Sequence, residues 1–466
     1  VDAITEIPAD RWDWRLYFDA DRNAKDKIYS KWGGFLDDMV FDPLQYGMPP
    51  KAIKAVDPLQ LMTLEVLNQT LDNAGYAARE FNREKVSIIL GASGGAGDVG
   101  AQYAVRSEMP RFTGSLMDHA ADRLPEWTED SFAGILLNVA AGRAANRFDF
   151  GGLNFTVDAA CASSLAAVHQ GVVELEDGRS DMVIVGGVDT VQGPFGYLCF
   201  SQTQALSPRG RCSTFDSQAD GIVISEGIAM LCMKRLADAE RDGDRIYAVI
   251  KGIGGSSDGR ARSMTAPHPD GQIRALQRAY NKAGYSPASV GLFEAHGTGT
   301  VAGDTAELET VTRLLEQNEV QPKTCAIGSV KTLIGHTKAS AGVAGLIKST
   351  LALYHKVLPP HANVKTPNIR IADEQSPLFI LREPQPWVTK PNEARRSGVS
   401  AFGFGGTNFH IALEEYNGAF LADRQSAALD EWPAELLVWC AADREGLISN
   451  LRQTLAALQT LSLIHI

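Results

Sequence analysis

The chain of 466 residues has only six cysteines, at 161, 199, 212, 232, 325 and 440, with no CxxC pair and no paired histidines at metal-ligand spacing. A disulfide framework and a structural zinc are therefore not expected. Cationic residues are also scarce, 44 Lys and Arg against 56 Asp and Glu, for a net charge of −12. A general polyanion binder needs the opposite balance to neutralise phosphates, so nucleic acid is not an expected partner. No apolar run approaches the ~20 residues that cross a bilayer, and the opening VDAITEIPAD lacks the basic, apolar, small-residue order of a secretory leader. No membrane span is expected, and the expected compartment is the cytoplasm.

Hydrophobic residues make up 44% of the chain and charged residues 21%, a globular composition in a chain long enough for two to four domains at a rough ~150 residues each. Short β-branched runs alternate with longer helical patterns, the mark of an α/β protein with buried strands. The clearest predicted strands are Val86–Gly91, Leu153–Val157, Met182–Val188, Ile246–Gly252, Val290–Glu294 and Cys325–Val330. A helix is predicted over Pro58–Ala74, capped by Asp57, opened by Pro58, striped by Leu61, Leu64, Leu67 and Leu71, and left through Gly75. The charged segment Lys234–Arg245 divides the chain into two strand-rich halves, giving expected units of 1–240, 241–415 and 416–466. The last contains a predicted strand over Leu436–Ala441 and an amphipathic helix.

Gly95–Gly100 (GAGDVG) matches a dinucleotide fingerprint, but it starts several residues past its strand and no acidic-ended second strand follows, so a flexible loop is the reading. Cys161, in DAACASSL, lies between a strand and a helix. Amides at a helix start favour thiolate over thiol, and the small neighbours admit a substrate, so Cys161 is a candidate nucleophile, the plain alternative being inert packing; taken with the motifs that follow along the chain, the other five cysteines are read as packing. His296 in EAHGTGT and His336 in GSVKTLIGHTKASAG each follow a strand and enter a polar, glycine-bearing loop, with Lys331 five residues before His336. Ser400–His410 (SAFGFGGTNFH) sets Phe402 and Phe404 among glycines able to expose amides to an oxyanion; the plain alternative is a hairpin or buried turn.

Together with SKWGGFLDD at 30–38 and GRCSTFDSQADGIVISEG at 210–227, these segments, in this order over residues 1–415, resemble the β-ketoacyl synthase (ketosynthase) domain of type I polyketide synthases and polyunsaturated fatty acid synthases. The resemblance implies a thiolase-like fold, two duplicated βαβ-rich halves in five alternating α-β-α-β-α layers. It implies Cys161 as the acyl-accepting nucleophile, His296 and His336 as active-site histidines, Lys331 in support, and the amides of Cys161 and Phe404 as an oxyanion hole. Thr298, Thr300, Phe402, Phe404 and Gly405 are the expected substrate and pantetheine contacts. The implied reaction is decarboxylative Claisen condensation of the acyl chain on Cys161 with malonyl-carrier protein, giving a β-ketoacyl thioester and carbon dioxide.

No metal or bound cofactor is implied, since the substrates ride on the phosphopantetheine of an acyl carrier protein. The implied partners are that carrier, an adjacent acyltransferase domain and a second copy in a homodimer. A thiolase would need a second catalytic cysteine near GFGGTN, a chalcone-synthase-like site an Asn, a loading domain a Gln, and a chain-length partner would lack the nucleophile. Three departures stand out: DPLQL at 57–61 for DPQQR, GHTKASAG with Lys338 for GHTEAAAG, and VISEG with Ser225 for VRGEG. They lean the reading towards an iterative, glycolipid-type or polyunsaturated-type synthase over a modular one and leave as alternative a silent, carrier-docking ketosynthase. The first strand of the family's domain is expected upstream of Val1, and the final LSLIHI reads as an artefactual extension.

Overall fold

The computed structural model describes residues 2–95, 97–260, 263, 266–390, 393–418 and 439–460. Helix α1 (Pro58–Asn73) forms as its sequence predicts: Asp57 accepts the Leu59 amide at 3.0 Å, Pro58 opens the first turn, and Gly75 takes φ +77 just past the end. Asp57 also accepts the Val99 amide at 3.2 Å. The GAGDVG segment is thus no loop, because helix α2 (Gly97–Thr113) begins inside it and packs its first glycine directly on that carboxylate.

Two sheets organise the unit spanning 1–422. The first, four-stranded among the described residues, holds β1 (Val86–Ala92), β2 (Asn154–Val157), β3 (Met182–Asp189) and β4 (Gly227–Met233) in the order β2-β1-β3-β4, with only β4 antiparallel to its neighbour. The second holds β5 (Val249–Ser257), β6 (Leu292–Glu294), β7 (Cys325–Gly328), β8 (Leu378–Phe379), β9 (Arg396–Gly403) and β10 (Thr407–Glu414) in the order β8-β7-β6-β9-β10-β5. Strands β8, β7, β6 and β9 run parallel, and β10 is antiparallel to both neighbours.

Helices fill the space outside and between them. Helix α1 and α3 (Leu137–Phe148) cover the outer face of the first sheet, burying Leu64, Leu67 and Ala144 against Ile88 and Leu90. Helix α4 (Ser163–Glu176) and α7 (Ala341–His355) lie between the sheets, sharing a core with Ile89, Val183, Val399 and Ile411. On the far face, α5 (Pro269–Ala283) and α6 (Val301–Glu316) bury Leu276, Leu308 and Val311. The result is the α-β-α-β-α layering of the thiolase-like fold.

One strand is displaced from its expected position. The run Ile246–Gly252 ends early at a glycine, whereas β5 begins at Val249 and continues through Gly254 and Gly255 to Ser257. The reason is close packing: a Cβ at Gly254 would stand 2.0 Å from the Ala275 carbonyl of α5, so glycine here lets a helix lie directly on the strand. Two of the cysteines read as packing, Cys199 and Cys440, are exposed, while Cys212 and Cys325 are buried. In the separate unit Asp423–Ile466, helix α8 (Arg444–Thr460) forms as expected. The start of the strand predicted at Leu436–Ala441, and Leu461–Ile466, lie outside the described residues. Among the described residues, no helix is long and apolar enough to cross a membrane.

Candidate active site

The chain turns sharply between β2 and α4. Asp158 accepts the Ala160 amide at 2.8 Å; Ser163 Oγ accepts the Ala159 amide at 2.8 Å and donates to the Ala160 carbonyl at 2.6 Å. These bonds hold Ala160 at φ +49, a left-handed conformation rare for a residue with a Cβ, and place Cys161 at the tip of the turn, before the first residue of α4. Gly403, the last residue of β9, touches the same turn: a Cβ there would stand 2.2 Å from the Ala159 carbonyl oxygen. That contact brings the hairpin tip Phe404–Gly406 over the thiol, where the backbone amides of Phe404 and of Cys161 itself favour the charged sulfur.

The thiol does not rest in the charged form that its place at a helix start suggests. Burial pushes its pKa up to about 11, against the opposing pull of the Lys331 charge and the two amides. Taking a charge out of water here outweighs the helix terminus and the pull of both amides, so Cys161 stays protonated near neutral pH.

His296 follows β6, and its loop is held from below by one buried carboxylate: Glu307 accepts the amides of His296 and Gly297, each at 2.7 Å. His336 is fixed at three points. Its amide donates to the Val223 carbonyl at 2.6 Å, its carbonyl accepts the Ser225 amide at 2.9 Å, and its Nδ1 accepts the Lys338 amide at 3.0 Å. An accepting Nδ1 leaves the ring proton on Nε2. The two imidazoles stand edge to face, centroids 5.5 Å apart, with Phe402 5.6 Å from His296. Burial, reinforced by the Lys331 charge, holds both well below the usual histidine range, so both are neutral.

One cavity of about 580 Å³ is lined by Cys161, His296, His336, Thr298, Thr300, Phe402 and Phe404, a volume in the range of small-molecule sites. Thr298 and Thr300 share a hydrogen bond of 2.9 Å, and Thr300 caps α6. Two expected residues do not line it. Lys331, 3% exposed, acts on Cys161 and the histidines through its charge from behind the wall, and burial lowers its own pKa. Gly405 takes φ +90 at the hairpin tip but does not reach the cavity.

Sequence reading missed several contributors. Glu307 also lines the cavity, and its neighbour Asp304 accepts the amides of Phe215 and Gly299 at 2.7 and 3.0 Å. Burial pushes both carboxyls up to about 7. The signal was available: two acids three apart at the start of a helix directly after a glycine-bearing loop can turn back to that loop's amides. Arg22 and Gln204 add to the wall from distant parts of the chain and carry no such local signal, whereas Asn408, also on the wall, lies within the SAFGFGGTNFH segment. The described residues hold no cluster of three or more His, Cys, Asp or Glu able to bind a metal ion.

Comparison with known proteins accords with this geometry. The family model for the N-terminal domain of beta-ketoacyl synthase matches residues 1–239, and that for the C-terminal domain matches residues 247–365. One polyunsaturated fatty acid synthase polypeptide of Thraustochytrium sp. is 40% identical over 432 residues, covering 89% of this chain and 15% of that protein. Polyketide synthase PksN of Bacillus subtilis is 38% identical over 431 residues, covering 89% of this chain and 7% of the other. This chain thus spans only a small part of these relatives. Among solved structures, the ketosynthase from module 6 of the bacillaene synthase of Bacillus subtilis 168 superposes with a TM-score of 0.77 at 33% identity, covering 99% of this chain and 73% of the other. The oxazolomycin ketosynthase domain from Streptomyces albus JA3453 has the same TM-score at 29% identity, covering 98% and 76%.

Proposed function

This chain belongs to the β-ketoacyl synthase family, and from that premise we propose that it extends acyl chains by decarboxylative condensation, with Cys161, His296 and His336 as its catalytic residues. The observation that carries the proposal is their convergence in one cavity, with the Phe404 hairpin tip beside Cys161 and both imidazoles neutral.

The chemistry follows from those states. Cys161 sulfur attacks the acyl thioester of a carrier arm, and the two amides stabilise the tetrahedral oxyanion. The proton held on Cys161 at rest passes to the departing arm thiol, leaving a new thioester of similar energy. A malonyl thioester then enters, and its carboxylate leaves as carbon dioxide. The electrons left behind form an enolate, whose oxygen is held by N–H groups of His336 and His296. A neutral imidazole donates without first giving up its proton, which suits a transient enolate. The enolate carbon attacks the acyl-Cys161 carbonyl, the thiolate departs and takes up one proton, and a β-ketoacyl thioester remains on the carrier.

Lys331 supports this site by its charge, and Thr298, Thr300, Phe402 and Phe404 contact or shape the path of the substrate and its arm. The natural substrate donor is a phosphopantetheinyl acyl carrier protein, with an acyltransferase domain and a second copy of this chain as further partners. Residues 1–240 and 241–415 are the two halves of the condensing unit, and 416–466 starts a linker.

The test is to incubate the protein with acyl- and malonyl-carrier proteins. The expected result is an acyl adduct on Cys161 and a β-ketoacyl product, both lost in Cys161→Ala. Carrier binding without carbon–carbon bond formation would instead mark a silent docking domain and overturn the proposal.

A further inference from the structure

The two departures flanking the site, Lys338 and Ser225, meet in the structure. Lys338 Nζ donates to the Ser225 carbonyl at 2.7 Å and to Gln192 Oε1 at 3.1 Å, and it pairs with Asp189 Oδ1 at 3.1 Å. Asp189, 1% exposed at the end of β3, also accepts the amides of Val191 at 3.1 Å and Ala339 at 3.4 Å. One buried carboxylate thus grips both the ammonium of Lys338 and the peptide that follows it.

The backbone at Lys338 makes this grip consequential. Lys338 sits at φ +48, a left-handed conformation that a lysine adopts only when its surroundings impose it. In that conformation its amide donates to His336 Nδ1 at 3.0 Å. The chain is therefore bent against its own preference at the residue that fixes the tautomer of His336. Its side chain, 13% exposed, is tied at the far end to three acceptors that fall on two other segments.

We propose that Lys338, clamped by Asp189, is a positioning residue for the condensation: it presents its amide to His336 Nδ1 and so keeps the His336 Nε2–H aimed at the enolate oxygen. This rests on the enolate-holding role assigned to His336 above. It also separates the half-reactions. Acyl transfer to Cys161 depends on the amides of Cys161 and Phe404 and is indifferent to the clamp, whereas decarboxylation depends on it.

The experiment measures both half-reactions in wild type, Lys338→Met, Lys338→Arg and the double variant Asp189→Asn with Lys338→Met. The double variant removes both charges together, so it avoids leaving a bare buried carboxylate if the single variant fails to fold. Acylation of Cys161 is read by intact-protein mass spectrometry, and carbon dioxide release is read from malonyl-carrier protein on acylated enzyme. Expected in whichever methionine variant folds is a loss of decarboxylation on the order of 10-fold to 100-fold, the scale of a small misplacement. Acylation stays within about twofold of wild type, and Lys338→Arg restores most of the decarboxylation. Unchanged decarboxylation in a folded methionine variant, or an equal fall in both half-reactions, would overturn the proposal. A wild-type protein that loads acyl groups yet never decarboxylates would overturn the enolate reading itself, and this inference with it.

Discussion

Replacing Gly403 by alanine puts one methyl group between the nucleophile turn and the hairpin that supplies the Phe404 amide. Gly403 is not at positive φ, so alanine meets no backbone objection and the perturbation is purely steric. Its Cβ would lie 2.2 Å from the Ala159 carbonyl oxygen and 3.4 Å from Ala160 Cβ, and the first of these is a backbone atom with no rotamer to escape into. Ordinary contact begins near 3.4 Å, so strand β9 and the turn must part by roughly 1 Å. Overpacking of that size destabilises by about 1–3 kcal/mol. The catalytic effect is larger than the structural one, because Phe404 is the next residue and its amide moves with the strand. Loss of one donor of this kind costs on the order of 10²–10³ in rate. Acylation of Cys161 by an acyl-pantetheine thioester, followed by quenched-flow mass spectrometry on the folded variant, should therefore slow by about that factor. Acylation within twofold of wild type would refute the claim that the Phe404 amide is set by its contact with the turn.

Other outcomes follow from the same structure. Because burial raises the Cys161 pKa to about 11, alkylation by iodoacetamide should climb about tenfold per pH unit well past the ~8.5 where an ordinary thiol levels off; a plateau below pH 9 would contradict the burial argument. Asp304 and Glu307 have folded pKa values raised to about 7, so each contributes stability that is complete below its unfolded pKa near ~4 and is lost as pH rises through 7. Glu307→Gln should accordingly lose less stability than wild type between pH 5 and 7, as read by denaturant titration, and parallel curves would count against the raised carboxyl. Leu64, fully buried between α1 and the first sheet, should lose about 2–5 kcal/mol of stability on truncation to alanine. A loss below 1 kcal/mol in the same titration would show that the outer helical layer is not tightly packed.

The three residues that converge in the cavity were legible as candidates because each carries its own local context. Cys161 has small neighbours and a following helix, and His296 and His336 have glycine-bearing loops after strands. What supports them was not. The Lys338 contacts with Ser225, Gln192 and Asp189 join residues 113 to 149 positions apart, and no periodicity encodes them. Burial of Cys161 is likewise a property of the assembled layers, which is why a helix start alone pointed to the wrong protonation state. Strand β5 was misplaced because its glycines answer to a packed helix rather than to turn propensity. The hairpin 396–414 was open to both a structural and a functional reading; β9 and β10 pair in register, and their tip places Phe404 on the wall of the cavity that holds Cys161.

The most direct test of the condensing role is a single turnover with enzyme already acylated on Cys161 and malonyl-carrier protein supplied in excess. The account predicts that the acyl group leaves Cys161 as β-ketoacyl-carrier protein appears, with one carbon dioxide released per bond formed. Carbon dioxide release with the acyl group still on Cys161, or no reaction despite carrier binding, would contradict it.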